Sequence, residues 1–325
     1  MKEKIITVRN LKLYFHQKTH RFHFRSNPLK AVDNVSFSII QGETFGLVGE
    51  SGSGKSSVGK SILRQYELTG GNIFFDGIDI GHLKEKELMP FRKKMQSIFQ
   101  DPYSSLNPAK TVLEIVCEPM QIHNMFTKQE RTEWAAEMLE LVGLKRGDLN
   151  KYPHEFSGGQ RQRISIARAL SVKPSFVLCD EPVSALDVSM QAQIVNMLED
   201  FQSKLGLTYL FISHQLSVVK HICNTIGVMY LGNLLEIASS NQLYTNPLHP
   251  YTKMLMSSIL IPDPKIPNLD QIIPDLGVQT RVDFGCKFRT RCPYGTQKCS
   301  ESLPPLLEVE TGHSVACHLY QKKLD

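Results

Sequence analysis

The sequence predicts an α/β fold: a mainly parallel sheet between helices, with a β-rich start, a helical insertion and a small cysteine-rich extension at the C-terminal end. Three observations predict it. The glycine-rich run Gly49-Glu50-Ser51-Gly52-Ser53-Gly54-Lys55-Ser56 stands between the apolar run Phe45–Val48 and a helical stretch that opens at Ser57, the strand–loop–helix setting in which such a run cradles phosphate. The apolar runs Phe176–Cys179 and Thr208–Ile212 are separated by the helical stretch Val188–Leu205, and short unbroken apolar runs alternating with helices read as buried parallel strands. Past Pro247 the composition changes: Pro250, Pro262, Pro264, Pro267 and Pro274 interrupt regular structure, and Cys286, Cys292, Cys299 and Cys317 crowd the end of the chain.

Taken in order, Ile5–Val8, Leu11–Phe15, Val35–Ile40 and Thr44–Val48 read as short strands. The basic and aromatic segment His16–Lys30, with Ser26-Asn27-Pro28, is expected to be a surface loop. A helix over Ser57–Leu63 follows the glycine-rich run, and a strand over Asn72–Phe75 closes on the Asp76-Gly77 turn. From Thr111 to Leu144 apolar residues recur at helical spacing, first Val112, Ile115 and Val116, later Trp134, Met138 and Leu141. The expected division is residues 1–240, with a helical subdomain at about 105–170, and an extension over 241–325. No internal repeat or low-complexity tract is evident.

Composition narrows the function classes. With 325 residues, 41% apolar and 21% charged, the chain can bury a large core, yet no stretch approaches the ~18 unbroken apolar residues of a membrane span. The opening Met1-Lys2-Glu3-Lys4-Ile5-Ile6 lacks the apolar run of a secretory signal, so a cytoplasmic protein is expected. A net charge of +5, spread along the sequence, does not point to nucleic acid. Of the seven cysteines, the four clustered ones suit a metal better than disulfides in a reducing compartment. Four thiolates serve an iron–sulfur cluster or tetrahedral Zn²⁺ equally well, and their spacing matches neither a CxxC zinc ribbon nor the usual ferredoxin runs.

The chemistry follows from the glycine-rich run. Its glycines let successive N–H groups converge on phosphate oxygens at a helix N-terminus, so Gly49 to Ser57 are expected to bind the phosphates. Lys55 should reach the β- and γ-phosphates, and the Ser56 hydroxyl should contact Mg²⁺. Asp180-Glu181 ends an apolar run, which places both carboxylates at the carboxyl edge of a parallel sheet. There Asp180 is expected to hold Mg²⁺ and Glu181 to act as general base on the attacking water.

One more phrase says how the nucleotide is used. Ser157-Gly158-Gly159-Gln160, within Phe156–Arg163 and upstream of Asp180-Glu181, resembles the signature of the ABC transporter ATPase family. The resemblance implies a RecA-like ATPase core with an antiparallel β subdomain and a helical signature subdomain. It also implies roles for further residues. Gln100, in Ile98-Phe99-Gln100-Asp101-Pro102, is similar to the glutamine that touches Mg²⁺ and couples to membrane subunits. Asp187, in Ser184-Ala185-Leu186-Asp187, resembles the loop crossing the dimer interface, and His214 resembles the switch histidine at the γ-phosphate. Phe15 aligns best with the aromatic that stacks on adenine, with Tyr14 the competitor. Gln215 stands where such members usually carry Asp. Ser157, Gly158, Gly159 and Gln160 would contact ATP bound to an opposing subunit.

Longer phrases, Ile98–Pro108, Tyr152–Phe156, Glu181–Ser189 and Leu248-His249-Pro250-Tyr251-Thr252, resemble the oligopeptide/dipeptide importer group, and specifically the second of its two non-identical ATPases. That likeness implies an ATP hydrolase on the cytoplasmic face of the membrane. Its partners would be a non-identical ATPase, two permeases and an extracytoplasmic solute-binding protein, with no nucleic acid. It tips the Cys286, Cys292, Cys299 and Cys317 element toward a [4Fe-4S] cluster, Zn²⁺ being the alternative. A nickel or metal-chelate importer, an ABC ATPase unconnected with transport and a redox module are the competing readings.

Overall fold

The computed structural model describes residues 3–15, 28–257, 282 and 284–321. Most of the segment expected as a loop, residues 16–27, lies outside the described residues, as do Pro262, Pro264, Pro267 and Pro274.

The first half comprises β1 (Lys4–Phe15), β2 (Leu29–Ile40), β3 (Thr44–Val48), α1 (Lys55–Ile62), β4 (Gly70–Phe75), β5 (Ile78–Asp79), α2 (Glu85–Lys94) and β6 (Met95–Ile98). The turn α3 (Pro102–Ser105) leads into α4 (Val112–Ile122), α5 (Lys128–Leu141) and α6 (Gly158–Leu170). Then come β7 (Phe176–Asp180), α7 (Val188–Leu205), β8 (Thr208–Ile212), α8 (Leu216–Ile222), β9 (Thr225–Tyr230) and β10 (Asn233–Ser239). The C-terminal part holds α9 (Ser240–Thr245), α10 (Pro250–Ser257), α11 (Gln297–Glu301), β11 (Leu307–Glu310), β12 (His313–Val315) and α12 (His318–Gln321).

Every residue of β3, β7 and β8 is buried, as unbroken apolar runs require when helices cover both faces. They lie in a sheet of order β11-β12-β10-β9-β3-β8-β7-β6, with β9-β3-β8-β7-β6 parallel. A second, antiparallel sheet has the order β2-β1-β4-β5. Ile6, Val8, Phe37, Leu47, Leu178 and Ile212 belong to one core cluster that joins the two sheets. Each such fully buried side chain contributes about 1.5–3 kcal/mol relative to exposure.

One sequence expectation changes in detail and another is refined. Ile5–Val8 and Leu11–Phe15 are one strand, not two. Its pairing with β2 shifts register between Val8 and Leu11, where Asn10 takes a left-handed φ of 49°, so a bulge bends β1 without ending it. The apolar stretch from Thr111 to Leu144 is two helices, parted where Asn124 and Phe126 have φ of 51° and 62°. Each begins with a capping box: Thr111 with Glu114, then Thr127 with Glu130, which satisfies N–H groups that a helix start leaves open.

The C-terminal hairpin β11–β12 extends the large sheet by pairing with β10 at Glu236↔Val315 and Ile237↔Ser314. Glu236 and His313 are both fully buried, 2.7 Å apart between Oε1 and Nε2. The Glu236 carboxylate also accepts the N–H groups of Leu248 and His249, each at 2.8 Å. One carboxylate therefore ties the sheet to α10 and to the hairpin. The neighbouring His249 imidazole is pushed down to about 4 by burial, against the pull of Glu236. Its Nδ1 accepts the Tyr251 N–H at 3.0 Å, a bond that needs the neutral ring.

Glu236→Ala should destabilise the chain by about 3–5 kcal/mol, because it leaves His313 and two backbone donors buried without their partner; urea unfolding reads this directly. A histidine depressed in the folded state contributes stability that is complete above its ordinary value of 6.5 and is lost as pH falls toward about 4. Between those limits the urea midpoint should fall with pH, by up to about 3 kcal/mol in stability, and His249→Gln should flatten that part of the profile.

Candidate nucleotide site

The phosphate loop leaves the end of β3 and enters α1. Two of its glycines have no room for a side chain: a Cβ on Gly49 would lie 2.1 Å from the Met229 carbonyl oxygen, and one on Gly54 would lie 2.3 Å from that of Ala31. Gly54 also has a φ of 103°, a backbone region that glycine enters cheaply. Lys55 is buried, and its Nζ donates to the carbonyls of Gly49 and Glu50 at 2.8 and 2.9 Å and to Ser53 Oγ at 3.3 Å. Burial lowers the lysine pKa, opposed by the carboxylates of Glu181, Asp180 and Glu50.

Ser56 Oγ donates to Asp180 Oδ1 at 2.8 Å. Burial pushes the Asp180 carboxyl up, opposed first by that hydrogen bond. Next in the chain, Glu181 has a left-handed φ of 50°, a conformation that costs a non-glycine residue about 1–3 kcal/mol and that gathers at functional sites. Its N–H donates to the Ile212 carbonyl at 2.9 Å, and its own carbonyl accepts from the Ser184 hydroxyl at 3.1 Å. So held, Glu181 Oε2 receives Gln100 Nε2 at 3.1 Å and lies 3.3 Å from His214 Nδ1.

These groups surround a cavity of about 830 Å³, lined among others by Ser51, Gly52, Gly54, Lys55, Ser56, Ser57, Gln100, Glu181 and His214, at the large end of the range usual for small-molecule sites. Phe15 lines it too, packed edge-on to Tyr66 at 5.4 Å. Tyr14 does not. Its hydroxyl donates to Asp33 at 2.6 Å, and burial and then that carboxylate push it up to about 12.

Ser157, Gly158, Gly159, Gln160 and Asp187 do not line this cavity. Ser157 caps α6 in a reciprocal box: Gln160 N–H donates to Ser157 Oγ at 3.4 Å, and the Gln160 side-chain Oε1 accepts Ser157 N–H at 3.0 Å. Asp187 caps α7 by accepting Met190 N–H at 2.9 Å, and its carboxyl is held low first by the Ser189 hydroxyl. Gln162, which the sequence reading passed over, is fully buried on α6 and donates through Nε2 to the Pro182 carbonyl at 2.8 Å and that of Phe99 at 3.4 Å. It thus joins the signature helix to the loops that carry Glu181 and Gln100. Its position within Phe156–Arg163 was the available signal.

The four C-terminal cysteines gather without forming a ligand set. Burial, reinforced by the neighbouring thiols, pushes Cys286 up to about 11 and Cys317 up to about 12. Among the described residues no three His, Cys, Asp or Glu side chains are arranged to hold a metal. The expected metal element is therefore not seen as such: Cys286 is buried, Cys292, Cys299 and Cys317 are partly buried, and all four are free cysteines. Lys287 and Arg291, each beside one of these cysteines in sequence and given no role by it, reach instead toward the phosphate loop and β2. Arg291 Nη1 lies 3.1 and 3.0 Å from the two Glu50 carboxylate oxygens, Tyr251 Oη accepts Glu50 N–H at 2.9 Å, and Lys287 Nζ is 3.6 Å from Asp33.

Comparison with known proteins agrees with this architecture. Residues 32–184 match the ABC transporter family, and residues 235–299 match the oligopeptide/dipeptide transporter C-terminal region. The chain is 48% identical to the oligopeptide transport ATP-binding protein AppF of Bacillus subtilis (strain 168), over 98% of each chain. It is 55% identical to OppF of the same organism, an oligopeptide transport ATP-binding protein, over 81% of this chain and 85% of that one. Among solved structures, the ATP-binding cassette MJ0796, a dimer in a post-hydrolysis state bound to ADP and Pi, superposes with a TM-score of 0.64 at 28% identity, covering 72% of this chain and 98% of that one. No helix among the described residues is long and apolar enough to cross a membrane.

Gly54→Ala should cost about 1–3 kcal/mol of strain at the phosphate loop. The expected result is roughly tenfold or more weaker binding of a fluorescent ATP analogue, measured by titration.

Proposed function

Because the chain belongs to the ABC transporter ATP-binding proteins, we propose that it is the ATP-hydrolysing subunit of an importer of oligopeptides or dipeptides. The observation that carries this reading is the convergence of Gln100 and His214 on one oxygen of Glu181, beside the Ser56–Asp180 pair. It occurs in a chain whose residues 235–299 match the oligopeptide/dipeptide transporter region.

In this reading the cavity takes ATP, with Phe15 against the base and residues Gly49 to Ser57 around the phosphates. Lys55 is already buried at the loop and would exchange its carbonyl partners for phosphate oxygens. The hydroxyl of Ser56 and the carboxylate of Asp180 are hard oxygen donors 2.8 Å apart, which suits Mg²⁺, with Gln100 as a further contact. When bound, that ion would neutralise charge on the β- and γ-phosphates. Glu181 is the proposed general base: its carboxylate accepts the proton of the attacking water, and Gln100 and His214 hold it in place.

Ser157, Gly158, Gly159 and Gln160 at the start of α6, together with Asp187, are proposed to complete the site of a second, non-identical ATPase. Their placement away from this chain's own cavity supports that. ATP would then join the two subunits and hydrolysis would part them. Gln162 carries the movement of α6 to the Gln100 loop. Two permeases and an extracytoplasmic solute-binding protein complete the system, with this subunit on the cytoplasmic face of the membrane. Residues 1–240 form the ATPase unit, including a helical subdomain at about 105–170, and residues 241–325 form the extension.

A second reading concerns Cys286, Cys292, Cys299 and Cys317. Their mutual approach supports a metal-holding role, an iron–sulfur cluster first and Zn²⁺ second, once the thiols are deprotonated and drawn into a ligand set. Anaerobically purified chain should show visible charge-transfer absorption and bound iron; a colourless preparation with stoichiometric zinc selects the alternative.

Glu181→Gln should bind ATP and lose turnover by about 10²–10⁴-fold, the usual contribution of a positioned base, measured as phosphate release from the assembled complex. Uptake of labelled oligopeptides by a deletion strain should return with the native chain and not with this variant. Full hydrolysis by Glu181→Gln would remove Glu181 from its role.

A further inference from the structure

The phosphate loop is held from outside the ATPase unit. Glu50 is the second residue of that loop, and its N–H and its carboxylate are both met by C-terminal residues. Tyr251 Oη, fully buried on α10, accepts the Glu50 N–H at 2.9 Å. Arg291 Nη1 meets the two Glu50 carboxylate oxygens at 3.1 and 3.0 Å across 241 positions of sequence. Arg291 itself is only 5% exposed, with its guanidinium 5.8 Å from the rings of both Tyr230 and Phe288, so its aim is fixed by packing before any nucleotide arrives.

The same segment reaches the cavity itself through Lys287. Lys287 lines it and is buried; its Nζ donates to the Leu231 carbonyl at 2.8 Å and lies 3.6 Å from Asp33. Burial alone would raise the Asp33 carboxyl, but the Tyr14 hydroxyl, Lys287 and Lys30 hold it low. Asp33 in turn fixes Tyr14, the neighbour of Phe15 in β1. Two cations four residues apart therefore serve the same site, Lys287 by lining the cavity and Arg291 by meeting Glu50 of the phosphate loop.

We propose that the C-terminal segment is a working part of the nucleotide site, in which Arg291 is a positioning residue that sets the phosphate loop through Glu50. A charge-assisted bond between a packed guanidinium and a carboxylate restricts the loop to one arrangement. Nucleotide binding is tighter when that ordering precedes it. This inference rests on the nucleotide-site reading, and the two fail separately: no binding of an ATP analogue by the native chain removes that reading, whereas a difference among variants concerns Arg291 alone.

The test uses the full-length chain with Arg291→Met, which keeps the buried stem and removes the guanidinium, together with Glu50→Gln and the double variant. Arg291→Met should weaken binding of a fluorescent ATP analogue about tenfold. In the assembled complex it should raise the KM for ATP by a similar factor with kcat within about twofold. Arg291→Lys should recover part of the loss, and the double variant should be no weaker than the weaker single one, as expected when both remove one interaction. Unchanged affinity in Arg291→Met, or fully additive losses in the double variant, would overturn the proposal. If Arg291→Met does not fold, Glu50→Gln decides: weakened binding that Arg291→Lys does not add to supports the coupling, and unchanged binding refutes it.

Discussion

The parallel register of four neighbouring strands is the constraint on which the site depends. Leu47 of β3 pairs with Ile212 of β8, Ile212 with Asp180 of β7, and Cys179 with Ile98 of β6. Four chain segments thus leave the sheet at one level, carrying the phosphate loop, His214, Glu181 and Gln100. A slip of one residue in any pair would turn a carboxylate or the histidine to the opposite face. The Glu181 N–H to Ile212 carbonyl bond continues this pairing one residue beyond the strand, so the strained backbone at Glu181 is fastened by the sheet itself.

What the sequence made legible was whatever it wrote contiguously. β3 and β8 begin and end where their apolar runs do, and α7 spans the stretch read as Val188–Leu205. The glycine-rich run and Asp180-Glu181 could be placed because each is attached to such a strand. Phe15 stood ahead of Tyr14 by its alignment alone, because the two are adjacent residues of one strand. Only the position of Asp33 shows which ring is occupied elsewhere.

What was not legible depended on partners far away in sequence. Nothing near Glu236 announces His313, and nothing near Glu50 announces Arg291. The bulge in β1 escaped because alternation before and after Asn10 is good on each side. The break between α4 and α5 had a signal that went unread: Thr127 followed by Glu130 is a helix-start box inside an apparently continuous helical pattern. The cysteines are a different case: their clustering in sequence is matched by proximity in space, while the arrangement of a ligand set is a finer condition that spacing does not spell out.

The hairpin β11–β12 has a further consequence. Beside β9, β10 would otherwise present a row of unpaired backbone groups, an edge able to recruit strands from other molecules. β12 covers that row at Glu236 and Ile237, and Glu236 is the residue that anchors the arrangement. The hairpin therefore moves the open edge of the large sheet from β10 to the four-residue strand β11, and a short edge strand is a poorer template for pairing with other chains. A polypeptide shortened before Leu307 would betray its loss in solubility, independently of any chemistry at the cavity.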